Sequence, residues 1–182
     1  MMSGQLLQGD GNHKTGCYNT LCQGFVQVDR KITPTSPVGP ASNFNGNQFD
    51  LKIQDRRSGN WWFVVSDGSK DIPVGYWPKK LFPYLRDGTK GVAWGGIAQA
   101  GRNKISPPMG NGQFPDGNYR HACYFSDVHY VDHKSKMVAP DNAYTLQHVD
   151  KPKCYGLKND RLMGPKNFGY SFTFGGPGGK CG

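Results

Sequence analysis

The chain has 182 residues, enough for one domain with its own core, and its 26 Gly and 13 Pro follow no repeat period. That composition suits many short strands joined by tight turns, and no apolar run nears the ~18 residues of a membrane-crossing helix. The net charge of +9 arises because all 13 acidic residues are Asp and none is Glu, while the 22 Lys and Arg are scattered as on a solvated surface rather than clustered as in a nucleic-acid footprint.

Residues 1–15 are polar and read as a loose N-terminal segment. Met1-Met2-Ser3-Gly4-Gln5 lacks the pattern of a signal peptide, so the chain as written points to synthesis in the cytosol. Gly24-Phe25-Val26-Gln27-Val28 reads as a strand. Residues 32–46, rich in Pro, Ser and Asn, form a long loop entering the clearest element of the chain. In Gln48-Phe49-Asp50-Leu51-Lys52-Ile53-Gln54, Phe49, Leu51 and Ile53 alternate with polar residues, which predicts a strand with one buried face. Residues 55–60 form the loop of a hairpin. The return strand Trp61-Trp62-Phe63-Val64-Val65 is apolar throughout, and its adjacent tryptophans must point to opposite faces.

A strand over 72–77 follows, then a short helix over 78–85 opened by Pro78. Val92-Ala93-Trp94 is a short strand stopped by Gly95-Gly96, and residues 119–131 make one long strand. Tyr170-Ser171-Phe172-Thr173-Phe174 alternates aromatic with hydroxyl residues before the glycine-rich Gly175-Gly176-Pro177-Gly178. Asp10, Asp67, Asp87 and Asp116 each precede Gly and read as turn formers.

The cysteines are Cys17, Cys22, Cys123, Cys154 and Cys181. No C-x-x-C spacing occurs, so no structural zinc site is expected. Cys17 and Cys22 flank a short loop, and Cys154 and Cys181 bracket the C-terminal segment. If each pair is bridged, the longer loop contributes roughly 3–4 kcal/mol and the shorter about 2. Cys123 sits in the apolar run Ala122-Cys123-Tyr124-Phe125 and reads as a buried thiol. Asp127 and His129 would share one strand face, where polar positions on a half-exposed strand are a plainer reading than a metal site. Cys123 with nearby His121 resembles a nucleophile and base only superficially, because nothing orients the histidine. Neither a phosphate loop nor a serine elbow is present. Neither a metal nor another cofactor is expected. No nucleic acid or membrane is expected as a partner.

The segments Gly16-Cys17-Tyr18-Asn19 and Cys22-Gln23-Gly24-Phe25-Val26-Gln27 resemble the opening of the neprosin domain. So do Gln48-Phe49-Asp50, Gly59-Asn60-Trp61-Trp62, Val74-Gly75-Tyr76-Trp77-Pro78, Trp94-Gly95-Gly96, Met109-Gly110-Asn111-Gly112, Tyr124-Phe125 and Phe174-Gly175-Gly176-Pro177-Gly178, in family order. The resemblance implies an all-β fold, an antiparallel β-sandwich of two sheets occupying residues 16–182. It also implies that residues 1–15 are a partial N-terminal segment, with one or more first strands missing. Family members are secreted plant proteins, and the family's characterised activity is that of an acid-active glutamic endopeptidase cutting beside proline. The resemblance supports the pairs Cys17–Cys22 and Cys154–Cys181 and an extracellular location.

That activity rests on two glutamates, one to activate water and one to stabilise or protonate the tetrahedral intermediate. One belongs to a region upstream of Gly16 that this chain does not contain. The other follows Trp-Gly-Gly, where this chain has Ile97. Neither role carries over, so no catalytic residue is assigned and hydrolysis by this chain is not expected. Trp62, Tyr76, Trp77 and Trp94 are candidates for an aromatic cleft that holds a proline-containing peptide. The competing expectation is a binding module using the same cleft on cell-wall glycoprotein or polysaccharide.

Overall fold

A computed structural model describes residues 6–7, 17–18, 23–34, 42–55, 59–66, 70–83, 91–159 and 168–182. The protein is all-β, with antiparallel pairing throughout and no α-helix among the described residues. The chain divides into two compact units, residues 1–42 with 48–90, and residues 43–47 with 91–182.

In the first unit, β1 (Leu6–Leu7) pairs with β2 (Cys17–Tyr18). A four-stranded sheet contains β3 (Val26–Gln27), β4 (Asp50–Asp55), β5 (Trp61–Ser66) and β6 (Asp71–Trp77), in the order β3-β6-β5-β4. The expected hairpin is β4–β5, in register from Asp50 opposite Ser66 to Asp55 opposite Trp61. The alternation of β4 is only partly expressed in burial. Leu51 packs on the core, but Ile53 is exposed. Among the described residues β4 is an outer strand of this sheet. Trp61 meets Phe82 edge-on at 6.5 Å, and Trp62 lies tilted on Tyr76 at 4.8 Å.

The core of this unit is Phe63, Val74 and Trp77, with Phe25, Leu51 and Phe82 packed around it. β6 reaches it through a bulge. Phe63 pairs with Gly75 and Val64 with Pro73, which leaves Val74 as the extra residue. The Val74 carbonyl then accepts two backbone N–H groups, from Val28 at 2.9 Å and Asp29 at 3.0 Å. Of the expected helix over 78–85, residues 84–85 lie outside the described residues, and the rest is a single 3₁₀ turn, Lys79–Leu81, that ends at Phe82 in a non-helical conformation. Phe82 precedes Pro83, and the residue before proline is disfavoured from the helical region.

In the second unit, β7 (Cys123–Phe125), β10 (Gly156–Lys158) and β11 (Phe172–Gly175) form a sheet in the order β10-β11-β7. β8 (Tyr130–Val131) and β9 (Met137–Val138) form a small hairpin between them in sequence. The long strand expected over 119–131 is therefore two strands. The break falls at Asp127, which has φ +53° and donates its N–H to Phe168 O at 2.8 Å. Phe125 stacks on both Phe172 and Phe174, at 5.1 and 5.5 Å. The glycine-rich tail continues the pairing through backbone bridges of Ser106 with Gly179 and Met109 with Gly176. A disulfide joins Cys154, two residues before β10, to Cys181. Cys17–Cys22 involves Cys22 and the Cys17 side chain, which lie outside the described residues.

Candidate functional site

The second unit contains a cavity of about 850 Å³. One wall is Trp94–Ala98 with Ala100, and residues 91–100 hold no regular element where a strand over 92–94 was expected. Adjacent glycines weaken a strand, because they bring no side chain to pack. Here they also permit a close approach. A Cβ on Gly96 would stand 2.7 Å from Phe174 Cε2 and would also strike Met109 Sδ, so only glycine fits without movement of those side chains.

The remaining walls come from elements far apart in sequence. β10 contributes Gly156 and Leu157, and β11 contributes Phe174. Tyr155 is buried and anchors this side through its hydroxyl, which donates to Pro107 O at 2.7 Å. The Cys154–Cys181 bridge holds the tail against the start of β10, and Cys181 is itself part of the lining. Trp94, Met109, Tyr155 and Phe174 supply the apolar surface. Charge comes from Lys104, Lys151 and Lys180, with His148 beside them and Asp150 as the one acidic side chain in the lining. Lys151 Nζ donates to Gly182 O at 3.3 Å.

Ile97 lines this cavity and is 87% exposed, so its aliphatic side chain is presented to solvent. Trp94 is half-buried in the same lining. The other aromatic candidates belong to the first unit. Trp62 and Tyr76 are half-buried and in ring contact. Trp77 is 2% exposed and packs at 4.6 Å on Phe25, so it is a core residue and not a surface for a ligand. That corrects its assignment to a cleft, because Phe25 and the Phe63–Val74 core enclose the ring. Sequence reasoning did not group Lys104, His148, Lys151 and Lys180. They come from three separate segments with no run or motif, and only the fold brings them to one cavity.

Two further clusters are held by local hydrogen bonds. His129 Nδ1 donates to the Asp127 backbone carbonyl at 2.9 Å, with the carboxylate at 3.5 Å, and no group of three metal-ligating side chains forms among the described residues. His121 Nδ1 bonds Asp116 Oδ2 at 2.6 Å and its Nε2 bonds Asn45 Oδ1 at 2.5 Å, while the ring stacks on Phe44 at 4.5 Å. Both ring nitrogens face these oxygens, so the ring serves to hold residues 43–47 rather than to activate Cys123. The His121 hydrogen bond, and then the Asn118 N–H, keep the Asp116 carboxyl below its ordinary range. Burial pushes the Cys123 thiol up.

The features together define an all-β, disulfide-bonded domain whose second unit has an aromatic and cationic cavity. The Neprosin family model matches residues 5–177 of the 182, and the chain belongs to the neprosin family.

Proposed function

We propose that this chain is a neprosin-family domain that binds proline-containing peptide outside the cell and does not hydrolyse it. The observation that carries the reading is Ile97, which stands exposed in the cavity wall of a chain without a single Glu. Hydrolysis by paired carboxylates needs one group to deprotonate water and another to stabilise the developing oxyanion. Ile97 can do neither, and Asp150 is the one carboxylate side chain in the lining. The absence of either group typically costs about two to four orders of magnitude in rate.

Binding does not depend on those carboxylates. Trp94, half-buried in the lining, offers a flat apolar face of the kind on which proline rings pack. The Cys154–Cys181 bridge supports an oxidising, extracellular setting. No helix among the described residues is long and apolar enough to cross a membrane.

The test is to incubate the purified protein with a proline-rich peptide from about pH 2 to 6, where carboxylate pairs titrate. Products are followed by mass spectrometry, and binding is measured in parallel. The expected result is binding without cleavage. Specific cleavage beside proline that survives in Ile97→Ala would overturn the reading. Binding of a neutral polysaccharide in preference to every peptide would move the protein to the cell-wall module class.

A further inference from the structure

The charge around the cavity is one-sided. Lys104, Lys151 and Lys180 all line it and are all exposed, against the single carboxylate side chain of Asp150. The ammonium groups of Lys104 and Lys180 make no ion pair or hydrogen bond among the described residues. Three lysines in one lining raise the positive potential there, and among the described residues Lys151 alone has a partner, Gly182 O, so an anionic occupant is favoured over a cationic one.

The second observation concerns backbone. β10 is an outer strand of its sheet, and no strand among the described residues pairs with its far side. Gly156 and Leu157 of that strand lie in the cavity lining. An extended peptide can add to such an edge through main-chain hydrogen bonds, with alternate side chains projecting to either side. A sugar chain has no matching ladder of N–H and C=O groups.

We infer that the cavity of the second unit selects acidic peptide segments, docked along β10 with their carboxylates on Lys104, Lys151 and Lys180. This rests on the reading of the domain as a peptide binder and adds the class of peptide. Proline rings pack on Trp94, while Asp or Glu side chains of the ligand meet the lysines. Exposed ion pairs are individually weak and screened by salt. Their combined effect is a preference of about tenfold at low ionic strength, not an all-or-none requirement.

The experiment compares short synthetic peptides of one length at about pH 7, where carboxylates are ionised. One alternates Pro with Ala, one Pro with Asp and one Pro with Lys. Binding to the full chain is measured by calorimetry at about 20 and 500 mM salt. Two variants accompany it. Lys104→Gln/Lys151→Gln/Lys180→Gln removes the cavity charges, and Lys31→Gln/Lys80→Gln removes two exposed lysines of the first unit. Circular dichroism confirms that both are folded. The expected order is Pro-Asp about tenfold over Pro-Ala, with Pro-Lys weakest. High salt and the triple variant abolish that preference, and the double variant keeps it. If Pro-Ala and Pro-Asp bind equally, acidic selection is wrong and the peptide-binding reading stands. If no peptide binds, both are wrong. A preference that persists in the triple variant places the site elsewhere, and tighter binding of an oligogalacturonate than of Pro-Asp would make the ligand a polyuronate instead.

Discussion

Gly96 rests directly on Phe174, with its missing side chain leaving the only space in which the two can meet. The contact ties the cavity wall that carries Ile97 to β11. In Gly96→Ala, the new methyl strikes the Phe174 ring and the end of Met109, whose thioether chain is flexible. We expect a loss of about 1 kcal/mol, seen as a fall in Tm of about 2–4 °C. Gly95→Ala is the control, because nothing lies within 4 Å of a Cβ there. Equal melting of the two variants would show that residues 94–97 do not pack as described.

Gly75 is held more rigidly. A Cβ there would stand 2.6 Å from Phe25 Cε1 and would also strike the Val26 carbonyl oxygen, which is backbone and cannot rotate away. Gly75 also follows the bulge at Val74 and pairs with Phe63 of the core. Gly75→Ala therefore forces β3 and β6 apart. The expected cost is about 2–3 kcal/mol, or about 4–12 °C in Tm. A fall no larger than that of Gly96→Ala would mean that β3 is free to shift.

How legible this was in the sequence depended on how local each signal is. The period-two pattern and the polar break over 55–60 place β4 and β5 almost to the residue, because alternation and turn chemistry act between near neighbours. Ile53 and Trp77 went the other way for the same reason. Whether a strand lies at the edge or the centre of its sheet is decided by pairing, which the pattern of one strand does not contain. Asp116 was legible as a turn former, since its Oδ1 accepts the Asn118 N–H at 2.9 Å. Its other oxygen, on His121, was not. The cavity was half legible. Trp94 and Ile97 stand in a motif, whereas Lys104, Lys151 and Lys180 share only a place in space.

Acid should loosen the cluster around His121. The carboxyl of Asp116 is held below its ordinary range by His121 first and the Asn118 N–H second. A folded-state value below the unfolded one stabilises the protein above the unfolded value, and that stability is lost as pH falls through the folded one. For Asp116 the window begins near the ordinary 3.8 and extends downward. Asp29 behaves in the same sense, through the Ile32 and Lys31 N–H groups. Asp116 is well exposed and Asp29 half-buried, so solvent screening keeps the effect small. Denaturant midpoints measured from about pH 5 to 2 should fall less steeply in Asp116→Asn than in the parent. Identical slopes would mean that the Asp116–His121 contact adds nothing to the folded state.

The Cys154–Cys181 bridge closes a separation of 27 residues and fastens the tail beside β10. Its removal has two effects that differ in kind. Unfolding becomes easier because the open chain gains loop freedom, about 3–4 kcal/mol on the chain-entropy estimate. The folded cavity also changes, since Cys181 and Lys180 line it and the bridge holds both in position. Backbone bonds of Gly176 with Met109 and Gly179 with Ser106 remain, so the tail stays paired up to residue 179 and is released only beyond it. Cys181→Ser should therefore melt well below the parent yet keep its β-rich circular dichroism, and it should lose affinity for the Pro-Asp peptide by several-fold. Cys154→Ser should match it on both counts, because either change breaks the same bond. Cys123, a thiol raised above its ordinary range by burial and set under Gly110, should alkylate slowly in the folded parent and readily in denaturant. Mass mapping that joins Cys123 to Cys154 or Cys181 would overturn the pairing, and unchanged peptide affinity in both serine variants would remove the bridge from the site.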